Sequence, residues 1–168
     1  MNLDDIHTGS LCVIDTNVLL YAEQGSSAQA QRFLRRCSTG ELIGVMPQTV
    51  WQELAHKLML AEAMMLGKVS GSNPARQLAQ KPEVIKGLSI YRDKIGALKD
   101  LGLGFEPCTR EDFLEDALRL QKEYGLLTND SVVLATALRL RAEVLVSADA
   151  AFRTLPKPAV AWPSDLSV

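Results

Sequence analysis

Leu11-Cys12-Val13-Ile14-Asp15-Thr16-Asn17-Val18-Leu19-Leu20-Tyr21-Ala22 decides how the rest of the chain is read. Four apolar residues, too few for a helix and rich in strand formers, end in an acid, a hydroxyl and an amide before a second apolar run begins. The pattern predicts a buried strand that delivers Asp15 to its C-terminal end. In an open parallel α/β sheet that end faces the crevice where ligands bind, which makes Asp15 a site candidate. A second reading stands beside the first: Asp, Thr and Asn all favour helix starts, so Asp15 can equally cap the helix that follows.

Working outward, Ser26 to Ser38 reads as a helix capped by Ser26 or Ser27 and stopped by Gly40, with Ala30, Phe33, Leu34 and Cys37 at helical spacing. Ile43-Gly44-Val45-Met46 is a second short strand, closed by Pro47. Thr49 to Leu66 is a long amphipathic helix with Val50, Leu54, Leu58, Ala61 and Met65 on one stripe. Glu53 lies at the edge of that stripe, in the first turns. Gly67 to Pro74 is the clearest loop, followed by helical pieces over Ala75 to Gln80 and Glu83 to Leu101, with Pro82 placed for a first helical turn. The face carrying Lys86, Arg92, Lys94 and Lys99 reads as solvated surface; contact with a nucleic-acid backbone is the alternative. Phe105 to Cys108 forms an edge strand. Thr109 and Asp112 then resemble a capping box for a helix that runs to Tyr124 and stops at Gly125. On it Asp112, Glu115, Asp116 and Glu123 are expected to face solvent.

Two further stretches answer the first. In Leu126 to Leu138, counting from Asp130, the positions three, four, seven and eight further on are Val133, Leu134, Ala137 and Leu138, so the acid heads the apolar face of a helix. An ionised carboxylate aimed toward a core is costly unless it is paired or bound to metal, which favours a functional role over a cap. Val144-Leu145-Val146-Ser147 is another apolar strand, and it delivers Asp149 much as the first delivers Asp15. Val160 marks a last edge strand ended by Trp162-Pro163. Short apolar strands alternating with helices imply an α/β fold with a parallel sheet covered on both faces.

With 168 residues, 47% of them hydrophobic and 23% charged, the chain reads as one domain, 1–168, with no boundary sharper than the loop near Gly71. A net charge of -2 argues against a broadly basic nucleic-acid coat, yet not against a nucleic-acid enzyme, because metal ions supply positive charge where phosphate approaches. Cys12, Cys37 and Cys108 lack metal spacing and read as reduced thiols. No signal peptide or membrane span is expected, so the location read from the sequence is cytoplasmic.

Asp15 and Asp149 at strand ends, with Glu53 and Asp130 at helix starts, can all face one crevice. Four acids without a basic neighbour in their motifs repel one another, an arrangement that makes sense with divalent cations. Mg²⁺ or Mn²⁺ suits a carboxylate cluster better than zinc does, and His7 and His56 show no zinc spacing. Phosphate-cradling glycine loops, a serine nucleophile elbow and a cysteine nucleophile context are all missing. An aspartyl-phosphate phosphatase would want an Asp where Asn17 stands.

Asp15-Thr16-Asn17, Glu53, Asn129-Asp130 and Ser147-Ala148-Asp149-Ala150-Ala151-Phe152, in this order over Leu11 to Leu155, resemble the PIN-domain ribonucleases, of which the bacterial VapC toxins are the small members. The resemblance implies a PIN-like three-layer α/β/α sandwich with a central, mostly parallel sheet of about five strands, the core at about 11–155 and an extended helical insert at about 67–104. It further implies an Mg²⁺- or Mn²⁺-dependent endoribonuclease with one or two ions, held by the acidic quartet Asp15, Glu53, Asp130 and Asp149. Thr16, Asn17 and Ser147 match polar neighbours that support the metal or the scissile phosphate. A toxin role implies an RNA substrate, a small antitoxin partner and a homodimer. Two departures stand out: Ala151 replaces an acid often found before the final Phe, and the insert is longer than a minimal toxin needs. Two rivals remain open, a non-catalytic PIN-like module that binds RNA or protein and a metal-dependent nuclease acting on DNA.

Overall fold

The computed structural model describes residues 1–166. Five short strands form one sheet: β1 (Leu11–Ile14), β2 (Ile43–Pro47), β3 (Gly104–Glu106), β4 (Val144–Val146) and β5 (Ala159–Ala161). Their order is β3-β2-β1-β4-β5, and every pairing is parallel. The sheet is therefore wholly parallel, with the opening strand at its centre. Cys12, Val13 and Ile14 are buried because helices cover both faces, which is why β1 reads as an unbroken apolar run and not as an alternation.

Around the sheet run α1 (Thr16–Glu23), α2 (Ala28–Ser38), α3 (Gln48–Met65), α4 (Pro74–Ala79), α5 (Pro82–Gly87), α6 (Ile90–Ala97), α7 (Ala117–Tyr124) and α8 (Thr128–Arg139). Ser27 caps α2 by accepting the Ala30 N–H at 3.0 Å. The chain leaves β1 toward β2 and β3 on one side and reaches β4 and β5 on the other, so the strand order reverses between β1 and β4. That reversal opens a crevice at the C-terminal ends of those two strands.

Four expectations need correction. On α3 the buried stripe holds through Val50, Leu54 and Leu58, but Ala61 is exposed, Met65 is 67% exposed, and Glu62 and Ala63 are buried in their place. Past Leu58 the helix packs on the insert instead of the main core, so its inner face turns. Ala63, Val69, Leu78 and Leu88 form a second, small core there. Second, the helix expected over Glu83 to Leu101 is broken: α5 ends at Gly87, Leu88 is extended, α6 starts at Ile90, and a 3-10 turn runs over Leu98–Leu101. The break follows from Glu62, whose buried carboxylate accepts the Ser89, Ile90 and Tyr91 N–H groups at 2.9–3.1 Å and so fixes a new helix start.

Third, Asp112 is 0% exposed, not solvent-facing. It does form the capping box with Thr109, at 2.8 and 3.1 Å, but its carboxylate also takes the Arg139 guanidinium at 3.0 Å from the end of α8. Arg139 in turn reaches Glu106 of β3 at 2.7 Å, tying both helices to the sheet edge. A π-helical turn over Asp112–Asp116 precedes α7, and Gly125 stops α7 in the left-handed conformation. Fourth, α8 is buried on almost all sides from Ser131 to Ala137, whereas Leu138, expected on the apolar face, is exposed.

Candidate active site

The ladder of β1 runs one residue past the strand: the Asp15 N–H donates to the Val146 carbonyl at 2.9 Å. Asp15 is thus part of the sheet edge and, through its φ and ψ, also the N-cap of α1, its Oδ1 accepting the Thr16 N–H at 2.7 Å. Asp15 is at once strand end and helix cap, so the cap reading of its segment holds. Its Oδ2 accepts from the Ser147 hydroxyl at 2.6 Å and the Asn17 amide at 2.7 Å. The Asn17 Oδ1 in turn accepts the Ala148 N–H at 3.0 Å, and Ser147 Oγ accepts the Asp149 N–H at 3.0 Å. The two strand-then-acid segments are therefore stitched to each other by Asn17 and Ser147, which explains why a hydroxyl and an amide stand where they do.

Asp15 is 7% exposed, and burial raises its carboxyl above the ordinary range; the Ser147 and Thr16 donors offset this in part, while Glu53 and Asp149 push it further up. Asp130 sits in the first turn of α8, half buried, and is raised to about 6 by burial and by the charges of Asp15, Asp149 and Glu53. The four acids expected from the sequence therefore lie within electrostatic reach of one another at the β1/β4 crevice.

Glu53 differs from the others. Burial works to raise its carboxyl, but Lys57 one turn later pairs with it at 2.7 Å, and the Thr16 hydroxyl at 3.1 Å and the Asn129 amide add donors, so it is held below the usual range. Asp149 is exposed and caps a 3-10 turn, accepting the Ala151 N–H at 2.8 Å. Lys57 was not singled out from the sequence, and Asn129 entered only as part of the Asn129-Asp130 motif, with no role given. Their signals were the i to i+4 spacing after Glu53 and the position beside Asp130.

The donor set is all oxygen and strongly negative, with one lysine against four acids, which fits a hard divalent cation. Among the described residues, however, no group of three His, Cys, Asp or Glu side chains stands close enough to hold a metal ion without rearrangement. Each carboxylate is held by protein donors, Asp130 by the Leu127 N–H, and Glu53 is engaged by Lys57 on one oxygen and Thr16 on the other. His7 and His56 are exposed, and Cys12, Cys37 and Cys108 are free thiols, the first two pushed up to about 12 by burial. They take no part in the crevice.

A PIN domain family model matches residues 12–158, nearly the whole chain. The protein belongs to the PIN domain family. PIN domains are nucleases, hydrolases of phosphodiester bonds. Two solved structures share the fold. The VapBC2 complex of Rickettsia felis, bound to a DNA fragment from its promoter, aligns with a TM-score of 0.57 at 15% identity, covering 92% of this chain and 99% of the other. A toxin-antitoxin complex from Klebsiella pneumoniae aligns with a TM-score of 0.59 at 18% identity, covering 94% and 99%. At these identities the likeness is one of fold. No curated protein matches the sequence. Among the described residues no helix of this PIN domain is long and apolar enough to cross a membrane.

Proposed function

We propose that this PIN domain is an Mg²⁺- or Mn²⁺-dependent endoribonuclease and the toxin of a toxin-antitoxin pair. The observation that carries the nuclease reading is the convergence of Asp15, Glu53, Asp130 and Asp149 on one crevice, where Asp130 is raised to about 6 by burial and its acidic neighbours. Such a concentration of negative charge, with Lys57 the one cation paired into it, is what a phosphodiester enzyme needs filled by cations.

One or two bound ions would supply charge for the scissile phosphate and a more acidic water. Asp15 and Asp130 are the principal ligands in this reading, with Glu53 and Asp149 completing the site directly or through water. Ser147 and Asn17 hold Asp15 by one oxygen, so its orientation is set before anything binds. Thr16 keeps Glu53 facing Asp15. Lys57 holds Glu53 in reserve and, once released, stands beside the crevice as a cation for a substrate phosphate.

The toxin reading rests on the shared fold with the two toxin-antitoxin complexes and brings with it a small antitoxin and a homodimer as partners. The pairing of Glu53 with Lys57 would equally suit a non-catalytic module, so the test separates the two. Single-stranded RNA is incubated with the protein, freed of any antitoxin, in Mn²⁺ or Mg²⁺ and then in EDTA. Cleavage is expected with metal only and is expected to vanish in Asp15→Asn and Asp130→Asn; full activity in both variants sinks the reading. DNA of the same sequence, run beside it, decides the substrate. Growth arrest on expression, relieved by a neighbouring small reading frame, tests the toxin role.

A further inference from the structure

We propose that the insert holds the backbone of single-stranded RNA on a basic track formed by Lys68, Lys81 and Lys86, leading away from Glu53 along α3; this rests on the ribonuclease reading above. Segment 67–104 carries seven Lys and Arg against three Asp and Glu, a net of +4 in a chain of net -2, so the remainder carries -6. A polyanion approaching the acidic crevice therefore meets its positive charge on the insert.

The insert is connected to the crevice by one exposed helical face. Glu53, Lys57, Ala61 and Met64 follow at steps of three or four on α3, and all but the half-buried Glu53 are exposed. Glu53 to Met64 spans about 16 Å of helix, the reach of a few nucleotides. Just beyond lies Lys68, exposed; the Lys81 ammonium donates to the Lys68 carbonyl at 2.6 Å, which brings the two lysines together. Lys68 also borders a hollow of about 300 Å³ with Leu66, Val84, Leu88 and Glu83. Lys86 closes the set through Glu83, at 2.6 Å, with its side chain 72% exposed. So exposed a pair is weak and yields readily to a phosphate. An apolar floor with a lysine rim suits a nucleotide, the sugar or base face below and phosphate at the rim.

Two of the other bases of the insert are committed elsewhere, while Arg76 and Lys99 are exposed. Lys94 pairs with Glu23 at 2.6 Å, and Arg92 donates to the Ile85 and Lys86 carbonyls and lies over Tyr91. The platform is packed, with the small core of Ala63, Val69, Leu78 and Leu88 within the insert and Glu62 fixing the start of α6. The lysines are thus displayed from packed backbone.

The test compares the wild type with Lys68→Ala/Lys81→Ala/Lys86→Ala and with the corresponding triple Arg variant, in full-length protein. Binding of fluorescein-labelled single-stranded RNA is read by anisotropy in EDTA over a range of salt. The Ala triple is expected to bind at least tenfold more weakly, with a log-log salt slope smaller by about 2, because each lost phosphate contact on a single strand removes about 0.7. The Arg triple keeps affinity and slope. With Mn²⁺, KM rises for long RNA while kcat on oligonucleotides too short to reach Lys68 is unchanged. Unaltered affinity and slope in the Ala triple, or an Arg triple as weak as the Ala triple, overturns the track. Because binding is read in EDTA, a protein that binds through these lysines yet cuts nothing with Mn²⁺ counts against the ribonuclease reading alone. A protein that cuts RNA normally but binds it equally well without the lysines counts against the track alone.

Discussion

Asp15 and Asp112 are both buried aspartates that cap or open a helix, and the fold treats them in opposite ways. Around Asp112, burial alone would raise the carboxyl, but the Arg139 guanidinium and the Thr109 N–H outweigh it and hold the group below the ordinary range. Around Asp15 the donors are a hydroxyl, an amide and one backbone N–H, none of them charged, and the nearest charges are further acids. Asp112 is neutralised from within, whereas Asp15 is left short of positive charge. That contrast separates the PIN crevice from the α7–α8 clamp more sharply than burial does.

The contrast breaks most visibly in activity. Asp15→Asn keeps the side-chain shape while removing the charge and one of its two acceptor oxygens, so RNA cleavage is expected to fall at least about 10³-fold, roughly 4 kcal/mol of transition-state stabilisation. Its melting temperature is expected to hold or rise; a variant that unfolds would place Asp15 with Asp112 as a structural acid.

Next in size is the clamp. Asp112→Ala leaves Arg139 without its buried partner and is expected to cost about 3 kcal/mol, toward the low end for a broken buried pair because the Arg139 side chain is 29% exposed. Calorimetry checks this. Asp112 has its carboxyl held low, so the stability it contributes is present above the ordinary value of 3.8 and lost as pH falls through the folded-state value.

Asp130 carries the opposite sign. Its folded-state value lies above the ordinary 3.8, at about 6, so the fold prefers the protonated form: stability is full below about 4 and declines as pH rises through 6. Asp130→Asn is therefore expected to raise stability at pH 7 without metal by about 1 kcal/mol, after allowance for solvent screening of a half-exposed group. The gain should vanish near pH 4. In the wild type, Mn²⁺ is expected to raise the melting temperature at pH 7.5 and to lose that effect below pH 6, as the ligands take up protons.

The smallest effect expected is local. Glu62→Gln keeps the side-chain shape but weakens the charge-assisted cap on the Ser89 to Tyr91 N–H groups, so hydrogen exchange at these amides should quicken while that of β1 stays unchanged.

How much of this was legible in the sequence follows the same division. The sheet and the acids at its ends were readable because each strand is a short apolar run and each acid stands at its end, local signals that need no partner. Three of the four corrections fall where a long-range partner decides; nothing in the structure explains the exposure of Leu138. Asp112 looked exposed because Arg139, far along the chain, was not recognisable as its counterion. The break at Leu88 was invisible because its cause, Glu62, sits on another helix. Ala61 and Met65 kept the period of the stripe while the surface beneath it had changed. Within the crevice, the residue types were readable, as was the i to i+4 spacing of Lys57 after Glu53, but the further partners of Glu53, Thr16 and Asn129, lie far along the chain and were not.

The clamp at Arg139 has one more consequence. Arg139 is the last residue of α8, and Asp130 lies in its first turn, so a single stiff helix about 18 Å long joins them. With one end fastened to Asp112 and Glu106 and its flanks buried, α8 behaves as a strut anchored at the far side of the molecule. The slack available to Asp130 is then set by how firmly that remote end is gripped, and loosening Arg139 would blur the position of a carboxylate it never touches.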